Sequence, residues 1–152
     1  MQFLKSLRAG ASGTTFMTLY SYGYSRFRNK QFREPVLLAD LIRRGSQGKS
    51  GSGTWKGWLA HYTVGAVFSL TYHQLIKPKV NLQHLNPEAK ALAFGGLYGL
   101  LGVAGWKATF ELHPAPPEIS YKEFYAHLVL AHMVFGYFAF GMDGKNEQKK
   151  GS

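Results

Sequence analysis

The chain has 152 residues, enough for one packed domain and too few for two ordinary ones. It contains no cysteine, which excludes disulfides, thiolate catalysis and Cys-ligated zinc or iron–sulfur centres. Its formal net charge is +10, but the basic residues gather at expected helix ends and form no face interleaved with aromatics, so nucleic acid is not an expected partner.

The spacing of charge is more informative than its sum. Lys, Arg, Asp and Glu are absent from residues 9–25, 57–76, 91–106 and 124–142. A helix with one wet face shows a charge every turn or so, and these four segments show none. Since about 20 apolar residues of helix cross a bilayer core, the expected fold is all-α, a four-helix transmembrane bundle. Its spans are about 7–25, 55–76, 88–110 and 120–141 in a single domain 1–142, followed by a polar tail, 143–152. The alternative is a soluble helical bundle, because many residues of the spans are Gly, Ser, Thr and Tyr.

The first segment has a basic start. Gly10, Ser12, Gly13, Thr14 and Thr15 interrupt the compact apolar block of a cleavable signal, so it reads as a retained first span. Gly10, Thr14, Met17 and Ser21 share one of its faces. Next, "REPVLLADLIRRG" carries helix punctuation: Pro35 at a first position, Arg43 and Arg44 in a last turn, and Gly45 beyond it. Val36, Leu37, Leu38, Leu41 and Ile42 form its apolar side, which predicts a short interfacial helix over about 35–44. "GSQGKSGSG" reads as a flexible linker. This basic first loop suits anionic lipid, although Lys and Arg counts on the two sides, eight and nine, leave orientation undetermined.

In the second span Gly57, His61, Gly65, Phe68 and Tyr72 form one stripe, which turns His61 toward a neighbouring helix. His73 lies on an adjacent stripe with Tyr62, near the far water boundary. "NLQHLNPEAK" predicts Asn86 as an N-cap with Pro87 at the first helical position. Ala91, Gly95, Gly99, Gly102 and Trp106 then recur every three or four residues, a surface suited to close helix packing in lipid. Lys107 and Glu111 are spaced for a local ion pair. "HPAPPE" is a stiff connector, and Ser120 with Glu123 has the spacing of a capping box that starts the fourth span. That span holds His127 and His132, about 140° apart around the helix, and Gly136 as a packing position.

Three uses of the histidines follow. They can be neutral hydrogen-bonding groups between helices. His61 with His127 or His132 could bind haem or a metal ion, although the nearest carboxylates considered, Glu111 and Glu123, sit at helix ends. His61, Tyr62, His73, Lys107, Glu111 and His132 could instead line a substrate or proton path, since ionisable groups at membrane depth are functional candidates. No cofactor is required by the sequence. No nucleophile elbow or phosphate loop is present, so no catalytic residue is expected and the chain leans away from an enzyme.

"AGASGTTFMTL", "HYTVGAVFSLTYHQL", "LAFGGLYGLLGVAGWKATFELHPAPP" and "EFYAHLVLAHMVFG" together resemble the YagU-like family of small bacterial inner-membrane proteins of uncharacterised activity. The resemblance covers all four spans but not "REPVLLADLIRR". It implies a multi-pass protein of a bacterial inner membrane, and adds no chemistry. The functional expectation is a non-enzymatic role in small-molecule or proton transport, binding or scaffolding, with the lipid bilayer as partner and a homo-oligomer as a further one.

Overall fold

The computed structural model describes residues 2–45, 54–80 and 86–141, and the expected linker after Gly45 and the polar tail lie outside them. The described residues are helical, with no strand among them. In chain order they form α1 (Gln2–Arg28), α2 (Glu34–Gly45), α3 (Trp55–Thr71), α4 (Pro87–Leu112) and α5 (Tyr121–Gly136). A π-helical turn extends α3 over Tyr72–Ile76, and another extends α5 over Tyr137–Gly141.

Contacts fix the directions of these helices. Gly10 in the amino half of α1 lies against Ser69 near the end of α3, and Gly95 in α4 lies against Gly136 at the end of α5. Ser21 near the end of α1 meets His127 near the start of α5. The four long helices therefore run antiparallel to their packed neighbours, and α2 lies against the start of α3.

Local chemistry explains the end of α1 and the start of α4. Asn29 closes α1 in the left-handed conformation, with φ of 50°. The Asn29 N–H donates to Arg26 O and the Lys30 N–H to Ser25 O, the two bonds of a Schellman motif. Asn86 caps α4 as its sequence predicts, its Oδ1 accepting from the Ala89 N–H at 2.6 Å. The box expected at α5 does not form. Ser120 precedes the helix without a side-chain cap bond, and Glu123 instead takes both carboxylate oxygens to Lys30 Nζ, each at 2.8 Å. An ammonium offers this exposed carboxylate a charge-assisted bond that a backbone N–H does not match.

Packing depends on glycine where backbones nearly touch. A Cβ at Gly95 would stand 2.5 Å from His132 O, one at Gly99 2.8 Å from Val129 Cα, and one at Gly136 would collide with Ala91 O. The α4–α5 interface thus has no room for a side chain at any of these three glycines. Helices α3 and α4 behave differently. The rings of Phe68 and Tyr98 stack at 4.4 Å and those of Tyr72 and Phe94 meet edge-on at 5.1 Å, joining the two helices at one end. Beyond this junction a cavity of about 240 Å³ separates them.

Of the four expected spans one, Tyr121–Gly141, is long and apolar enough to cross a membrane, and more than half of it is buried within the bundle. The other three contain more of the small and polar residues that pack inward: glycines in α4 and hydroxyl residues in α1.

Gly95→Val should lower stability by about 3 kcal/mol or more, because the obstructing atoms are backbone. Gly23→Ala, where a Cβ would meet nothing, should stabilise by about 0.5–1 kcal/mol through helix propensity. Thermal denaturation of both proteins followed by circular dichroism tests the pair, and equal effects would discard the packing argument.

Candidate functional site

The inward face of α1 is polar. Ser6, Thr14, Thr18, Ser21 and Ser25 recur at helical spacing and are all buried. Several spend their hydroxyl proton on their own helix: Thr14 Oγ1 donates to Gly10 O at 2.8 Å and Thr18 Oγ1 to Thr14 O at 2.7 Å. Their oxygens remain available as acceptors for groups on other helices.

His61 uses one of them. Its Nε2 lies 3.0 Å from Thr18 Oγ1, whose only proton is committed to Thr14 O, so the ring must carry its proton on Nε2 and donate it. The same accounting fixes His127. Ser21 Oγ donates to Glu34 Oε1 at 2.8 Å, so His127 Nε2, 3.0 Å from Ser21 Oγ, is the donor in that contact. Nε2 is also 3.4 Å from Glu34 Oε1. Three helices, α1, α2 and α5, thereby meet at one fully buried cluster. The His127 ring is enclosed by Tyr24 at 4.7 Å, Tyr20 at 5.4 Å and Phe32 at 5.6 Å, and its Nδ1 has no hydrogen-bond partner among the described residues.

Glu34 reaches this position because of the turn that precedes it. After the Schellman closure of α1, the Phe32 N–H donates to Ser25 Oγ at 3.1 Å and the Phe32 ring is wholly buried. The chain is thus folded back beneath α1, and the next residues enter α2 with Glu34 in its first turn, where the helix dipole favours a carboxylate. Glu34 is 1 % exposed, and its Oε2 makes no hydrogen bond among the described residues.

His132 completes the polar set. Its Nδ1 donates to Leu128 O at 2.8 Å, and a carbonyl can only accept, so in the neutral ring Nε2 bears a lone pair. The ring lies against Gly102, where a Cβ would come within 3.3 Å of Nε2. Glu34, His61 and His132 all line the cavity between α3 and α4, whose remaining wall is mostly apolar, with Phe68, Trp106 and Phe135 its largest side chains.

The sequence-derived candidates therefore separate. His61 and His132 share the cavity, whereas His127 lies behind it with its Nε2 already engaged. Tyr62 is on the outer side, its hydroxyl 2.9 Å from Thr15 Oγ1. His73 is at the opposite end of α3, with Nε2 3.3 Å from Ala139 O. Lys107 and Glu111 form the expected local pair, 3.8 Å apart and well exposed. Gly10, Gly65, Gly95, Gly99 and Gly136 sit at helix contacts, and Gly102 packs against the His132 ring. Glu34 was not among the candidates, because the reading of its segment turned on Pro35, Arg43, Arg44 and Gly45. Its signal is that it is the first acidic residue in the chain, directly before an apolar run. Among the described residues no three of the His, Asp and Glu side chains are grouped as a metal ion requires.

No protein-family model, curated protein or solved structure matches the chain.

Ser21→Ala removes both the donor to Glu34 and the acceptor of His127, leaving buried polar atoms unmet, and should cost about 1–3 kcal/mol. Tyr62→Phe, altering an exposed contact, should change stability by less than about 0.5 kcal/mol. Parallel melting curves measure both, and a harmless Ser21→Ala would show that the cluster contributes nothing to the fold.

Proposed function

We propose that the chain is an integral membrane bundle in which α1, α3, α4 and α5 span the bilayer and α2 lies at one interface, and that its interior binds or passes a small molecule or a proton without catalysing a reaction. The observation that carries this reading is the placement of polarity. The buried set includes Ser6, Thr14, Thr18, Ser21, Glu34, Ser69 and three histidines, while Phe16, Leu19, Leu59, Val64, Val67, Leu97, Leu100, Leu101 and Leu130 are exposed along the middle of the long helices. The interior also holds an apolar core that includes Phe32, Leu37, Phe124, Leu128 and Phe135, so the unusual feature is the apolar belt left outside it, which a protein folded in water gains stability by burying. In hydrocarbon an apolar exterior costs nothing, and interhelical polar contacts with close-packed small residues hold the helices together.

The charges support the same reading. Lys5, Arg8, Lys77 and Lys90 lie at one end of the bundle, and Arg28, Lys30, Arg43, Arg44 and Lys122 at the other. Between them the helices are free of charge for 16 to 20 residues, or about 24–30 Å at 1.5 Å per residue, close to the thickness of a bilayer core. Helix α1, the least hydropathic of the four, turns its hydroxyl residues inward, and a residue hidden between helices is never presented to lipid. The resemblance to YagU-like proteins suggests a bacterial inner membrane, and the basic end near α2 suits anionic headgroups.

The chain has no native cysteine, so single cysteines report topology directly. After alkaline carbonate washing, the protein should remain in the membrane fraction. In sealed vesicles an impermeant maleimide should label Arg8→Cys and Arg44→Cys from opposite sides, and should not label Leu100→Cys, exposed on α4. Release by carbonate, or labelling of Leu100→Cys as fast as Arg44→Cys, would refute the membrane reading.

A further inference from the structure

The cavity between α3 and α4 has a consistent hydrogen-bonding character. His61 spends its Nε2–H on Thr18, and His132 spends its Nδ1–H on Leu128 O. Each neutral ring is left with a lone pair, on Nδ1 of His61 and on Nε2 of His132, and neither has a protein partner among the described residues. Glu34 also lines the cavity, but it is buried, and its Oε2 makes no hydrogen bond among the described residues. Thr14 and Thr109 on the same wall donate to carbonyls of their own helices, at 2.8 and 2.7 Å. The cavity therefore presents two imidazole acceptors, with the buried carboxylate of Glu34 in its wall, and the threonine hydroxyl protons beside them are consumed. No lysine or arginine forms an ion pair with Glu34 among the described residues; its one such contact is with His127, through the other oxygen.

We propose that this cavity is a binding site for a small organic ammonium ion, a protonated primary amine with a compact hydrocarbon body. The inference rests on the reading of the bundle as a small-molecule binder. An ammonium brings three N–H donors and a positive charge to a wall of acceptors, and it compensates a buried carboxylate that lacks a strong cation. The rest of the wall suits the hydrocarbon: Phe68, Phe135 and Trp106 offer apolar surface and ring faces, and a cation near an aromatic face is favoured further. A bare metal ion fits less well, because the acceptors are distributed around about 240 Å³ and are not grouped on a point. Such a volume holds a small organic body with few polar atoms.

The test uses the full chain in mild detergent with cyclohexylmethylammonium as probe and cyclohexylmethanol as its neutral counterpart, each titrated by calorimetry. Saturable binding of the ammonium, with the alcohol weaker by about tenfold or more, is the expected result. Gly105→Leu fills the cavity from a position where a Cβ meets nothing, so the fold should tolerate it, and should weaken the ammonium by about tenfold or more. Gly23→Leu, equally unobstructed on α1 and away from the cavity, should leave binding unchanged and controls for uptake by the micelle. Where Glu34→Gln folds, it should lose affinity to the same degree as Gly105→Leu. Equal affinity for ammonium and alcohol, no saturable binding, or binding indifferent to Gly105→Leu would overturn the proposal. A protein that needs no detergent yet binds the ammonium would sink the membrane reading and leave this site standing; a carbonate-resistant protein without ammonium binding would do the reverse.

Discussion

The carboxylate of Glu34 is buried among hydroxyl and imidazole groups, and a buried acid is tolerated only where its surroundings supply hydrogen bonds. Much of the bundle can be understood from that requirement. Ser21 must face inward at the matching depth on α1, His127 must arrive from α5 with its Nε2–H directed at the same place, and the turn through Asn29 and Phe32 must return the chain beneath α1. The ion pairs of Lys30 and Arg28 with Glu123 strap the same end from outside. They are exposed and contribute little energy, so the work of aligning α1, α2 and α5 falls to the buried cluster.

The opposite end is organised by rings. Tyr72 stacks on Phe140 at 3.9 Å, Phe68 stacks on Tyr98, and Phe94 and Phe135 meet the group edge-on. Between the polar end and the aromatic end, glycines bring α5 against α4 and α1 against α3. No comparable glycine contact joins α3 to α4, and His61, Glu34 and His132 line the space left between them. The α4 wall of the cavity is low because Gly102 and Gly105 carry no side chain.

Much of the helical organisation was legible from residues alone. The Asn86 cap, the Lys107–Glu111 pair, the inward orientation of His61 beside Gly65 and the glycine face of α4 depend on neighbours a few positions away, which a helix places predictably. Contacts between distant segments were not legible. Ser21 and His127 are 106 residues apart, and nothing local to either names the other. Glu123 illustrates the limit: its spacing from Ser120 fits a cap, but Lys30, brought close only by the fold, captures it. Glu34 was missed for the same reason, since nothing local to it names Ser21 or His127. Depth alone allowed His61 to meet either histidine of α5, and the choice of His132 is set by the phase of that helix, in which His127 turns toward α1 and Tyr24.

The two π-helical turns place a discontinuity in that phase. A π turn accommodates one residue more than an α turn would, so the side chains beyond it are rotated by about 100° relative to an uninterrupted α-helix. In α5 the widening begins at Tyr137, after the histidines, and in α3 at Tyr72, after His61. Tyr72 opens its turn on the same stripe as His61, Gly65 and Phe68, and Phe140 lies within the other turn, so their stack is made where both helices widen. The two widened turns thus meet across the bundle, and a single-residue deletion within either would rotate the residues after it while leaving the histidines before it in place.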